Sequence, residues 1–226
     1  MTSNARLPAE LRERVLAKAR ATPSPDARAV ARRRRAAVAL GVGTSVALLA
    51  ALGITLGGRP LPFVALSAAG WALLAAATTW TAAHRGLTML GHTRRVLVFA
   101  ALAAAPVVLA WVMACTLGWP DVREPAAGAT ANVACLIATS VLSLAPLFAL
   151  GYLRRGSDPV HPRATGAATF ASAGAWGGAL IDLHCGIVHP VHVALAHVMP
   201  IAVFAALGAV LGARLFGVTS KTRSGC

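Results

Sequence analysis

Charge is scarce in this sequence. Only 12% of its 226 residues are charged, about half the roughly 25% carried by an ordinary soluble domain. The shortfall is local: long stretches carry no charge at all, and the charges that exist cluster in short runs, which is the membrane pattern rather than the globular one. Acidic residues are scarcer still, seven against 21 Lys and Arg. Inside the apolar segments Asp182 is the only one. Paired carboxylates for acid–base chemistry are therefore missing, and neither a Gly-rich phosphate loop nor a nucleophile elbow is present. The polar stretches between apolar segments are too small for a soluble catalytic domain. An enzyme is not the expected reading.

The excess of basic residues gives a net charge of +14, which in a soluble protein would point to nucleic acid. Its distribution points elsewhere. Ten of the 21 Lys and Arg lie in the first 35 residues, and the rest punctuate apolar segments. Basic residues placed this way orient helices in a bilayer, so no direct nucleic-acid contact is expected. The apolar stretch after Arg32–Arg35 is longer than the core of a secretory signal and reads as a first span.

Six apolar segments are long enough for a hydrocarbon core of about 30 Å: residues 36–57, 61–83, 96–118, 129–153, 165–186 and 191–216. Nineteen basic residues fall on one side of this pattern and only Arg59 and Arg123 on the other. The positive-inside rule puts the nineteen in the cytoplasm. The expected fold is an all-α membrane protein: six transmembrane helices in three antiparallel hairpins, both termini cytoplasmic, with a short cytoplasmic N-terminal amphipathic helix. Residues 1–35 form the head, 36–216 the membrane domain and 217–226 a tail. Trp80, Trp119 and Tyr152 fall near the predicted interfaces, where amphipathic rings prefer to sit. Pro106, Pro146 and Pro200 lie near mid-span, where each removes a helix hydrogen bond. Gly174 with Gly178, and Gly208 with Gly212, are small residues four apart that let helices approach closely. The last two spans are expected to pack tightly.

The head contains LPAELRERVLAKAR, residues 7–20. Pro8 suits a first helical turn, and Leu11, Val15 and Leu16 share one face. So short a helix is marginal alone in water. Two readings stand: a docking peptide for a cytoplasmic protein, tethered by the linker at 21–26, or a helix lying on membrane lipid beside the Arg32–Arg35 anchor.

The densest chemistry lies at Asp182, His184, Cys185, His189 and His192, followed by His197. A carboxylate within a span is a functional candidate by default. With imidazoles and a thiol gathered at the outer ends of two adjacent spans, Asp182, His184, Cys185, His189 and His192 are candidate metal ligands. The bland alternative is that the histidines hydrogen-bond to Asp182 and interfacial water. No metal signature of specific spacing is present, so the cofactor stays open. Cys115, Cys135 and Cys185 fall in the outer half of their spans. They are candidates for thiol sensing or a disulfide, against ordinary apolar packing.

The six-span layout, the short head before a basic anchor, and Gly174, Gly178, His184 and Cys185 in the fifth span together resemble the bacterial membrane anti-sigma factors of the NrsF type. The CarR-like light-responsive regulators of myxobacteria are similar in layout. The resemblance implies an inner-membrane negative regulator that sequesters a sigma factor of the extracytoplasmic-function class and releases it on a stress signal. It also implies that paired cysteines in the periplasmic half do the sensing, with Cys185 at the His-Cys position and Cys135 the likelier mate. A small metal- or redox-responsive membrane protein or transporter built on the His/Cys/Asp cluster is the alternative. Apart from Asp182, the spans carry no charged residue at depth for a transport path.

Overall fold

The computed structural model describes residues 27–55, 58–83, 92–119, 127–154 and 160–217, together with Glu10, Glu13 and Val122. Among these residues the structure is helical and contains no strand. The chain divides into two units, residues 1–35 and residues 36–226. In the first, Glu10 and Glu13 are helical and exposed, and Arg28, Arg32 and Arg35 are exposed too. Leu11, Val15, Leu16, the linker at 21–26 and the tail beyond residue 217 lie outside the described residues.

Six long helices follow one another among the described residues: α1 (Ala27–Leu52), α2 (Leu61–Ala83), α3 (Arg94–Gly118), α4 (Ala129–Arg154), α5 (Pro162–His184) and α6 (Pro190–Phe216). Five of them, all but α5, are long and apolar enough to cross a membrane. The expectation of six spans, each long and apolar enough to cross, meets a difference at α5. It is 23 residues long, as long as α2, but carries Thr165, Thr169, Ser172, Asp182 and four glycines. Its position explains the difference. α5 packs against α2, α3, α4 and α6, and most of its residues are buried. A helix wrapped by other helices has no lipid-facing side to make apolar.

The outer surface is the inverse of a water-soluble one. Leu61, Leu73, Phe99, Leu102, Leu117, Phe148 and Val210 are all exposed, while Ser67, Thr139, Ser143, Ser172, Asp182, His192 and His197 are buried. Lipid is the solvent that such a surface fits. Several buried polar side chains are paired across helices, while the Thr169 hydroxyl of α5 has no hydrogen-bond partner among the described residues. Thr79 and Ser172 share a hydrogen bond of 2.7 Å between α2 and α5, and the Trp176 indole donates to the Thr79 hydroxyl at 2.9 Å. Interhelical bonds of this kind contribute about 0.6 kcal/mol each on average.

Small residues fix the spacing of α5 and its neighbours. A Cβ on Gly174 would lie 2.8 Å from the Ile201 Cα, and one on Gly212 would lie 2.9 Å from the Arg163 Cα. Gly166 and Gly208 oppose each other directly, backbone to backbone. The tight α5–α6 pair expected from Gly174, Gly208 and Gly212 is thus present. Gly178 serves a different neighbour: its missing side chain seats the ring of Trp71 from α2. Trp71 is fully buried there, at the centre of a cluster with Ala75, Val108, Ala171, Ala175 and Ile201.

α6 is not uniform. Pro190–His192 is α-helical, Val193–Val198 forms a π turn, and Met199–Phe216 is α-helical again. The Met199 N–H bonds five residues back, to the Ala194 carbonyl. Pro200 follows at once. Having no N–H, it cannot bond the Ala196 carbonyl, and its ring crowds the preceding turn. Widening that turn to π geometry relieves the conflict. Pro106 and Pro146 are carried within α3 and α4.

Replacing Gly208 by Val should force α5 and α6 apart, an overpacking cost of about 1–3 kcal/mol. The expected outcome is a lower unfolding midpoint for the full chain in detergent, followed by circular dichroism. Val210→Leu, on the exposed side of the same helix, should leave the midpoint unchanged.

Candidate functional site

Loops and helix ends meet at one end of the bundle. The segment after α1 is stitched to the end of α5. The Thr55 N–H bonds the Leu183 carbonyl at 3.1 Å, and a ring nitrogen of His184 bonds the Gly53 carbonyl at 3.0 Å. Arg59, counted in the sequence as a loop charge, is 4% exposed. Its guanidinium donates to the carbonyls of Thr55 and Asp182, both at 3.0 Å. A cation on the last carbonyls of a helix satisfies groups that have no intrahelical donor and complements the helix dipole.

α5 ends because Cys185 leaves helical geometry, with φ −83° and ψ 120°. Gly186 follows, and α6 begins at Pro190, whose missing N–H suits a first turn. This break decides which side chains meet. Asp182 and Cys185 would share a face only on a helix running on through Cys185. Asp182 instead accepts a hydrogen bond from Ser67 of α2 at 3.2 Å, in the corner that holds Arg59. Cys185 turns toward α4 and α6. Its Sγ lies 3.6 Å from the Sγ of Cys135 and 3.3 Å from Nε2 of His192. The Nδ1 of His192 is 2.6 Å from Oδ1 of Asn132, one turn before Cys135 on α4. An amide oxygen only accepts, so Nδ1 carries the proton and Nε2 presents its lone pair to Cys185.

His197 completes the group. Its ring packs edge-on against His192, with centroids 5.1 Å apart. On an α-helix residues five apart point about 140° away from each other. The π turn between them stacks such residues nearly in line, so both imidazoles face the cysteines. One donor atom from each of Cys135, Cys185, His192 and His197 can be chosen so that all four lie within 4.8 Å of one another.

The candidate residues therefore separate into neighbourhoods. Cys135, Cys185 and His192 converge. His197 joins them although the metal set read from the sequence stopped at His192. Asp182 sits with Ser67 and Arg59, and His184 is engaged with the backbone of Gly53. His189 is the residue just before α6, not in its first turn, and its Nδ1 is buried. Cys115 is buried in a separate apolar cluster with Phe63, Val64, Val122 and Val188. Asn132 carries no signal in the sequence, while Arg59 reads there only as an outer-side charge and His197 only as a neighbour of the cluster. The one signal for His197 is Pro200 three residues on, which disturbs the helical register that would have turned the ring away.

A family model described as NrsF, negative regulator of sigma F, matches residues 18–217, and the chain belongs to that family. No curated protein matches, and no solved structure does.

The geometry predicts selective thiol oxidation. A disulfide needs sulfurs about 2.05 Å apart, and Cys135 and Cys185 approach to 3.6 Å across two helices already held together. Treating the full chain with diamide, which takes up the two protons and two electrons, should link Cys135 to Cys185. Cys115 should stay a free thiol. Mass spectrometry of alkylated peptides reads both.

Proposed function

We propose that this member of the negative regulators of sigma F is a membrane-embedded anti-sigma factor. It holds a sigma factor of the extracytoplasmic-function class at the bacterial inner membrane and releases it on a stress signal. Family membership across residues 18–217 is the observation that carries the reading.

The chain crosses the membrane six times in three antiparallel hairpins, with α5 as the central crossing and both termini in the cytoplasm. The nineteen basic residues gathered on one side of the pattern support that orientation, and the apolar exterior supports lipid as its surroundings. The partner is held by the head. Leu11, Val15 and Leu16 dock as one face of a short helix into a groove on the sigma factor, the mode in which a helix marginal in water gains its order from its partner. Nucleic acid is reached only through the sigma factor. Cys135 and Cys185, with Cys115 as a further thiol, supply the sensing chemistry at the opposite side of the membrane.

Release then requires two helix arrangements with different affinity for the sigma factor, and a signal that favours one of them. The pairing of Cys135 on α4 with Cys185 at the end of α5 suits this, because a chemical change there acts on two helices at once.

Replacing Leu11, Val15 and Leu16 together by Asp should abolish retention of the sigma factor by the full chain purified from membranes. Reporter expression from that sigma factor's promoters should rise to the level seen without the regulator. Retention by the triple variant equal to wild type would remove the head from the binding role.

A further inference from the structure

We propose that Cys135, Cys185, His192 and His197 form a tetrahedral binding site for a borderline-soft divalent cation, Zn²⁺ being the ion they fit best. Their spacing carries the first part of the argument. Tetrahedral zinc has Zn–S of about 2.3 Å and Zn–N of about 2.0–2.1 Å, which places two thiolates about 3.8 Å apart and a thiolate and an imidazole about 3.6 Å apart. The corresponding separations are 3.6 Å between the two sulfurs and 3.3 Å from the Cys185 sulfur to the His192 ring nitrogen. These two pairs already stand within a few tenths of an ångström of tetrahedral spacing, and all four donors lie within 4.8 Å of one another.

His197 carries the second part. It is 1% exposed, and neither ring nitrogen has a hydrogen-bond partner. Burying an imidazole in this way leaves its desolvation cost uncompensated. A cation shared with three other donors gives one nitrogen a bond and removes most of that cost. The π turn that aims His197 at the cysteines, rather than about 140° away, has a purpose if the ring is a ligand.

His192 carries the third. Its Nδ1 proton is held by the Asn132 carbonyl oxygen, which orients the ring and leaves Nε2 free to bind. Histidines that ligate metals are held in this manner by an oxygen acceptor on the other nitrogen.

Charge and donor type choose the ion. Binding releases two thiol protons to solvent, so a divalent cation with two thiolates and two neutral imidazoles has no net charge. A neutral centre is what an apolar interior tolerates. Sulfur and imidazole donors without a carboxylate disfavour Mg²⁺ and Ca²⁺, which take oxygen ligands. Asp182 is not part of the site, since its carboxylate faces Ser67.

The test uses the full chain purified in detergent without chelator, then titrated with Zn²⁺ and, separately, with Co²⁺ as a spectroscopic probe. One metal per chain is expected, with thiolate-to-cobalt charge transfer, the intense visible bands of tetrahedral cobalt, and release of two protons per Zn²⁺ bound. His197→Ala and Cys185→Ser should lose those bands. Asn132→Leu should weaken affinity by about 10–100-fold while retaining them. Cys115→Ser and His184→Ala should bind as wild type does, and helical circular dichroism shows whether each variant is folded. Absence of tetrahedral cobalt bands in the wild type would overturn the proposal. So would undiminished binding by folded His197→Ala. Neither readout involves the sigma factor, so failure here leaves the regulatory reading standing, and loss of that reading leaves the site.

Discussion

The backbone approach of α5 and α6 is the constraint on which the rest depends. Gly166, Gly174, Gly208 and Gly212 bring the two helices together without intervening side chains. Dispersion contacts and small-residue packing drive helix association in lipid, where the hydrophobic effect between helices is absent. The contact holds α6 so that His192 and His197 overlie the end of α5 where Cys185 turns out. α4 supplies Cys135 and Asn132 from the other side, and it too approaches α5 at a glycine, where Gly177 meets Ser143 and the backbone of Thr139. A widened α5–α6 gap would leave the four side chains on separate helices with nothing in common.

A polar helix at the centre follows from the same packing. Close contact calls for Gly, Ala and Ser, and such a helix is too polar to face lipid. α5 solves this by being surrounded. Its Ser172 hydroxyl finds Thr79 on α2, and its Asp182 carbonyl, near the helix end, finds Arg59. The apolar side chains then sit on the peripheral helices, where the bilayer replaces the water that surrounds a soluble fold.

Much of this was legible in the sequence. Apolar segment length gave five helices within a few residues of their ends, and the small residues of the fifth and sixth segments marked the tight pair. The orientation rests on charge pattern, the hairpins on the shortness of the segments between spans, and the head helix on its amphipathic spacing. Three features were not legible, for physical reasons. Gly178 matches its partner glycine in spacing, but it faces Trp71, because a face can be assigned only when the neighbours are known. Arg59 reads as a loop charge, and its burial depends on carbonyls supplied by residues 55 and 182. His197 is out of reach of any α-helical projection, since the π turn that aligns it with His192 arises from a local conflict at Pro200. Each miss concerns a long-range partner or a departure from ideal helix geometry, and periodicity carries neither.

The central claim is that the chain restrains a sigma factor. Deleting its gene and sequencing the transcripts of unstressed cells tests this most directly, since the sigma factor need not be identified first. The account predicts that a defined set of genes rises, that their upstream regions share one promoter element, and that expression of the intact chain returns them to their starting level. An unchanged transcriptome, or changes with no common promoter element, would contradict it.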